Sequence, residues 1–257
     1  MKNKGIKKAL KFIFVLAFWL AFWEIASLLV RDELKLFLPS PVLVFRKWLE
    51  VSFTRDYLIC SAATLLRIFS GFVLGSLAGF ILAVATTSFN IINSIISPAM
   101  RVIRAVPVVS FIILAFLFFK ADNLPVFISF LMVMPLMWQT VNDGIKGTNQ
   151  KLDEMCKVYG IGRWKSLFRV KLPQCTNEII TGLVSALGFA WKSGVAAEVL
   201  CTSDISIGHK IYSAKAALNF DEVYAATLTV VLLSLVIEIL LKYLCGKYLI
   251  KEAKNND

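Results

Sequence analysis

"EMCKVYGIGRWKSLFRVKLP", residues 154–173, is a basic and largely polar stretch set between two long apolar runs. Gly160-Ile161-Gly162 interrupts any helix here, because glycine is costly inside a helix and favoured just past its end. Upstream, Leu152 to Tyr159 leaves room for about two helical turns. Downstream, Trp164, Leu167 and Phe168 recur at i, i+3 and i+4, which predicts one apolar face, with Lys165 and Arg169 along another side. Pro173 is expected to end this second helix, since it lacks an N–H and disfavours a helical residue before it. The reading is a short helix–turn–helix presenting an aromatic and aliphatic patch, and such a patch points to a docking partner. A membrane-surface amphipathic helix would account for the apolar face, but not for the glycine and the proline.

The flanking runs set the class. The 257-residue chain is 58% hydrophobic and carries 20 phenylalanines, its mean hydropathy is +0.73, and several runs reach the roughly 20 residues that cross a bilayer as a helix. Six spans are predicted, at about 9–30, 58–87, 99–119, 124–142, 178–200 and 223–245. All should be helical, because backbone exposed to lipid must satisfy its own hydrogen bonds. The loops leave no room for a soluble domain, so residues 1–257 read as one transmembrane domain with a cytoplasmic loop at about 150–174. The start, "MKNKGIKKALKFIFVLAFWLAFWEIASLLV" (1–30), has the basic head of a signal peptide. Its apolar run is longer than a signal core and no A-x-A site follows, so it is expected to stay as the first span.

The net charge of +11 is distributed by side. With both termini inside, sixteen of the 28 Lys and Arg residues fall in the cytoplasm: five before the first span, seven in the loop after the fourth, and four in the tail. Eight fall outside, among them Arg31, Lys35, Arg46 and Lys47. This bias predicts cytoplasmic termini. The positive charge is therefore topological, and nucleic acid is not an expected partner. Five scattered cysteines (Cys60, Cys156, Cys175, Cys201, Cys245) form no CxxC pair and have no metal-ligand spacing, so they read as small buried or lipid-facing residues.

Two spans carry stripes of small residues: Gly71, Gly75, Gly79 and Ala83 in the second, and Gly182, Ala186, Ala190 and Gly194 in the fifth. This spacing lets helix backbones approach closely in lipid, either as fixed packing or as a sliding surface. Ionisable groups at mid-membrane cost about 2.5–3.5 kcal/mol on insertion scales, so they should face an interior. Lys192, between Trp191 and Ser193, reads as a cationic contact for an anionic solute, as a structural partner to a carboxylate, or as a side chain snorkelling to the interface. Arg101 and Arg104, between Pro98 and Pro107, are expected to anchor the cytoplasmic end of the third span. Glu198 is expected to bond nearby backbone or a Lys or Arg.

The spacing Glu154-Met155-Cys156, three residues, Gly160, nine residues, Val170, one residue, Leu172-Pro173 is similar throughout to the EAA loop of bacterial ABC-transporter permeases. Met155 and Cys156 stand for its two alanines and Val170 for its isoleucine. "FLPSPVLVF" (37–45), "AWKSGVAAEVL" (190–200) and "SIGHKIYSAK" (206–215) further resemble the nitrate/sulfonate/taurine-type permeases. The third span departs from them, closing on Phe118-Phe119-Lys120-Ala121 where that family often has a glycine after a Trp-Phe-like pair.

The resemblance covers roughly residues 10–250 and implies an all-α integral membrane protein of six transmembrane helices, with the MetI-like fold of type I ABC importer permeases. It implies a multi-pass protein of the plasma or inner membrane, working as a homodimer with two cytoplasmic ATPase subunits and an extracytoplasmic solute-binding protein. Glu154, Met155, Cys156, Gly160, Trp164, Leu167, Phe168, Leu172 and Pro173 would form the coupling element seated on the ATPase. Glu154 would sit at the first coupling helix, Gly160 at the sharp turn, and Leu172-Pro173 where the chain returns to the membrane. Lys192, Trp191 and Ser193 are the candidate substrate-path residues, for a small anionic solute such as nitrate, a sulfonate, taurine or a vitamin precursor.

No catalytic chemistry is expected of the chain itself. Gly246-Lys247 is followed by Tyr248 and lacks the upstream glycine of a phosphate-binding loop. The sole histidine, His209, reads as a loop residue. ATP and Mg would therefore be bound by the partner ATPase, with no cofactor in this chain. The competing reading, an ion-coupled secondary transporter, needs a proton or sodium relay, and the spans offer only the scattered carboxylates Glu24, Glu198 and Glu238.

Overall fold

The computed structural model describes residues 2–30 and 36–255; Arg31 and Lys35, counted above on the outer side, lie outside the described residues. Twelve α-helices are present among the described residues, joined by one π turn. Helix α1 (Lys2–Leu29) has its apolar section at Ile13–Leu29. Helix α2 (Pro41–Ser52) starts at Ser40, whose hydroxyl accepts from the Leu43 N–H at 3.4 Å. Pro41 occupies the first turn, where its missing N–H costs nothing.

Four predicted spans stand as long apolar helices: α3 (Arg55–Ser88), α6 (Leu124–Lys146), α10 (Thr176–Cys201) and α12 (Phe220–Asn255). The third predicted span is not straight. It is split into α4 (Asn90–Ala105) and α5 (Val108–Phe116), which meet at 99°. Pro107 is the cause: Val106 before it is extended, with φ −78° and ψ 133°, as the ring of a following proline demands. Pro98, by contrast, is carried inside α4. Among the described residues, four helices are therefore long and apolar enough to cross a membrane, or five with the bent pair counted as one, where the sequence predicted six. The first predicted span lies on α1, whose apolar section among the described residues is Ile13–Leu29.

The connecting helices are α7 (Gln150–Val158), α8 (Arg163–Ser166), α9 (Leu172–Gln174) and α11 (Ile207–Ala216), with the π turn at Leu167–Lys171. His209 lies in α11 rather than in a loop, because the Ser206 hydroxyl accepts from the His209 N–H at 2.9 Å and starts the helix.

Helices α3, α6 and α10 form the centre. The glycine stripe of α3 sits on the backbone of α6: a Cβ at Gly71, Gly75 or Gly79 would meet the carbonyls of Val126, Phe130 and Met134 at 2.4, 2.7 and 2.5 Å. On α10, a Cβ at Gly182 would press on Thr140 and one at Gly194 on Ile68 and Ser129, each at 2.6 Å. Both stripes are thus packing seams against neighbouring helices, filled out by Ile68, Val133, Met137, Ala186 and Ala190, all buried. A second apolar cluster (Ile112, Leu124, Ile128, Ala197), the outer cluster for its place away from the 150–174 loop, takes in Ile103 of α4 and Ala196 of α10. The Trp191 indole donates to the Val230 carbonyl at 3.0 Å and ties α12 to the centre.

Candidate coupling surface and permeation path

The loop after α6 is built as a rigid shelf. The Asn149 side chain accepts from the Lys151 N–H at 3.0 Å and caps α7. At the other end of α7, Gly160 has φ +64°. The Ile161 N–H bonds the Cys156 carbonyl at 2.8 Å and the Gly160 N–H bonds that of Lys157 at 3.1 Å. This pair of bonds is the Schellman arrangement, which needs a left-handed residue after the helix. No atom lies within 4 Å of a Cβ built on Gly160, so glycine is required by the backbone and not by crowding.

Helix α8 then brings the shelf back under α3. Arg163 Nη1 donates to the Ser88 carbonyl at 3.3 Å, and the Trp164 ring meets Phe89 edge-on at 6.2 Å. Leu167 turns inward to the core that holds Val141, Ile145 and Cys175; burying it contributes roughly 2 kcal/mol. Trp164 and Phe168 stay half exposed and stack on each other at 6.1 Å. The predicted single face is therefore split, with Leu167 in and the two aromatics out. Cys156 is also buried, while Glu154 and Met155 are exposed.

The exposed apolar surface is wider than predicted. Val158 and Tyr159 are 83% and 76% exposed and join Met155, Trp164 and Phe168. The signal was in the sequence, since Met155, Val158 and Tyr159 repeat the i, i+3, i+4 pattern.

Pro173 does not end the second helix. The π turn before it passes the Leu172 N–H back to the Leu167 carbonyl, five residues earlier. Pro173 then falls in the first turn of α9, where no donor is needed. The break comes at Cys175, with φ −95° and ψ 17°. A Cβ on Gly144 would lie 2.8 Å from that of Cys175, so the end of the shelf is packed tightly against α6.

The three candidate path residues do not act together. Consecutive helical residues point about 100° apart. Trp191 and Ser193 are buried and bonded, Ser193 to the Phe189 carbonyl at 2.8 Å, whereas Lys192 is exposed on the opposite side. Arg101 and Arg104 fall in the last two turns of α4, just before the bend at Val106. Helix α4 begins at Asn90, so they stand three to four turns along it.

At the end of α10 opposite the shelf, Glu198 is fully buried, and its Oε2 accepts from the Thr64 hydroxyl at 2.8 Å and the Gly208 N–H at 3.3 Å. Arg67 stands 3.8 Å from Glu198 Oε1 and donates to Asp122 at 2.8 Å and to the Ile205 carbonyl at 2.7 Å. The expectation that Glu198 bonds nearby backbone or a cation is met by the Gly208 N–H, with Arg67 within ion-pair distance. On α11, the Lys210 ammonium donates to Asp56, which holds its pKa above the ordinary lysine value.

A bundle of long apolar helices centred on two glycine seams, with a basic shelf bearing exposed aromatics, defines a multi-pass membrane transport subunit. The chain belongs to the family described as "Binding-protein-dependent transport system inner membrane component", whose model matches residues 71–248. Members of this family are the membrane permeases of ABC importers, which work with solute-binding proteins. Similar proteins include a putative ABC transporter permease of Methanocaldococcus jannaschii, 28% identical over 72% of this chain and 69% of that protein. A nitrate import permease of Leptolyngbya laminosa is 26% identical over 75% of this chain and 69% of its own length. The taurine transport system permease of Escherichia coli is 25% identical over 86% and 82%. Among solved structures, a bacterial ABC transporter involved in import of the acidic polysaccharide alginate has the same fold, with a TM-score of 0.64 at 16% identity, covering 94% of this chain and 98% of that one.

Proposed function

We propose that the whole chain, as one permease domain, forms half of a homodimeric pathway for a small anionic solute of the nitrate, bicarbonate or taurine kind. The relatives that carry those names support the solute class. A solute-binding protein delivers the solute on the outer side, and both termini lie in the cytoplasm. Two ATPase subunits, which bind the ATP and Mg, seat on the shelf at 150–174. This chain holds no cofactor.

The observation that carries the reading is the stacked, half-exposed pair Trp164 and Phe168 on a shelf anchored to α3, α6 and α10. Two exposed aromatics on a rigid base make an anchor for a partner pocket. Through Arg163, Leu167 and Cys175, a push on them reaches three spanning helices at once. Glu154, Met155 and Gly160 complete the shelf, with Leu172-Pro173 at its return.

The test is purification of the tagged chain from its own membranes in mild detergent. The parent should bring down an ATP-hydrolysing subunit in equal number, and the double change Trp164→Ala with Phe168→Ala should lose it while the permease stays folded. Retention of the ATPase by that variant would exclude the shelf as its seat.

A further inference from the structure

We infer that Arg101 and Arg104 of α4 line, together with Lys192 of α10, a water-filled cationic path that admits anions and rejects cations. The inference deepens the importer reading above and rests on it for the solute.

Two polar stripes carry it. On α4, Asn90, Ser94, Ser97, Arg101 and Arg104 follow one another at intervals of four and three residues. On α10, Glu178, Thr181, Ser185, Gly188 and Lys192 follow at three and four. Such spacing keeps each set on one side of its helix. Elsewhere α4 turns Met100 into the core, with Ile96 packed against it, and leaves Ile91, Ile95 and Val102 exposed. Each stripe starts at the cytoplasmic end and finishes in a cation.

The cations belong to one level of the molecule. Helix α4 starts beside Phe89, which touches the shelf through Trp164. It packs Ile96 and Met100 on the main core and then Ile103 on the outer cluster. It therefore climbs, and Arg101 and Arg104 stand roughly 16 and 21 Å along it from Asn90, inside the ~30 Å hydrocarbon layer. Ile103 and Ala196 each pack against the same outer cluster. Arg104 directly follows the first, and Lys192 precedes the second by one turn.

All three cations are exposed. Among the described residues none has a carboxylate within salt-bridge distance; the nearby Asp122 and Glu198 are engaged by Arg67. Arg101 Nε makes only a 3.3 Å bond to the Ser97 carbonyl of its own helix. Three unpaired cations facing hydrocarbon would each cost about 2.5–3.5 kcal/mol, so both stripes face water. Positive charge lining a low-dielectric passage concentrates anions and repels cations.

An anionic lipid headgroup offers the same chemistry as an anionic solute, and the test separates them. The experiment uses cysteine-free full-length chain, assembled with its ATPase in vesicles, carrying Arg104→Cys. Its labelling rate is compared for a sulfonate-bearing and a trimethylammonium-bearing methanethiosulfonate, without nucleotide and after trapping with ATP and vanadate. Both reagents should react in at least one state, the anionic one faster. Adding Lys192→Gln should lower the anionic-to-cationic rate ratio about threefold or more. The reciprocal pair, Lys192→Cys with Arg104→Gln, gives the same readout if the first variant fails to fold. Absence of reaction in both states, or a ratio indifferent to the second charge, would overturn the inference. So would protection that appears only when phosphatidylglycerol is added to phosphatidylcholine vesicles, which would assign the cations to lipid. The labelling does not depend on transport: if no ATPase co-purifies, the importer reading fails, and the bare chain in vesicles still reports on the path.

Discussion

Gly208 lies against Glu198 with no room for a side chain between them: a Cβ built on the glycine would be 2.3 Å from the Glu198 Cβ. This contact seats the first turn of α11 on the last turns of α10, and the Gly208 N–H completes the hold on the buried carboxylate. Helix α3 at Thr64, the end of α10 and the start of α11 are thus joined through one side chain.

Glu198→Ala should destabilise the protein by about 3 kcal/mol or more, because Thr64 and Gly208 lose their acceptor and Arg67 a nearby counter-charge. Gly208→Ala should do at least as much through main-chain collision. A thermal melt in detergent reads both, and an unchanged melting temperature for Glu198→Ala would contradict the network as a stabilising element.

At the central seam, Gly75→Val should abolish folded protein rather than trim activity. The added Cβ alone would lie 2.7 Å from the Phe130 carbonyl and 2.8 Å from the Val133 Cβ. Gly188→Ala, with no atom within 4 Å of its Cβ position, should leave yield and melting unchanged. Monodisperse yield from membranes distinguishes a fixed seam from a loose one, and a well-folded Gly75→Val protein would rule out the fixed seam.

On the shelf, Gly160 is demanded by φ and not by space, so side chains should be tolerated in order of their left-handed propensity. Gly160→Asn should keep the ATPase, whereas Gly160→Val should cost roughly 1–2 kcal/mol locally and misplace Trp164 and Phe168. Equal ATPase recovery from the two variants would show that the turn does not set the aromatic positions.

Cytoplasmic termini are testable by chemistry. Asn3→Cys and Asn255→Cys, each in an otherwise cysteine-free chain, should react with a membrane-impermeant thiol reagent only after cells are broken. Labelling of either in intact spheroplasts would reverse the topology.

Four spans were legible because hydropathy alone identifies a helix of sufficient length, and the stop at Gly160 was legible because one residue type serves that backbone. The bend at Val106 was missed although Pro107 and two arginines within the predicted span advertised it. Hydropathy averages over a window and cannot see a change of direction. Pro173 was misread for the opposite reason: a proline rule assumes an α-helical turn before it, and a π turn removes the conflict. Lys192, Trp191 and Ser193 were grouped by adjacency in sequence, but a helix spreads neighbours around its axis, and the companions of Lys192 are Ser185 and Thr181.

The π turn also gives the spacing between Gly160 and Leu172-Pro173 a meaning beyond reach. One residue occupies about 100° of helical rotation, so a turn holding one extra residue is an angular setting. The count of residues in this loop fixes the compass bearing at which Trp164 and Phe168 emerge relative to α10, much as the teeth of a gear fix phase. A chain one residue shorter would still span the distance, yet it would offer its aromatics to a different side.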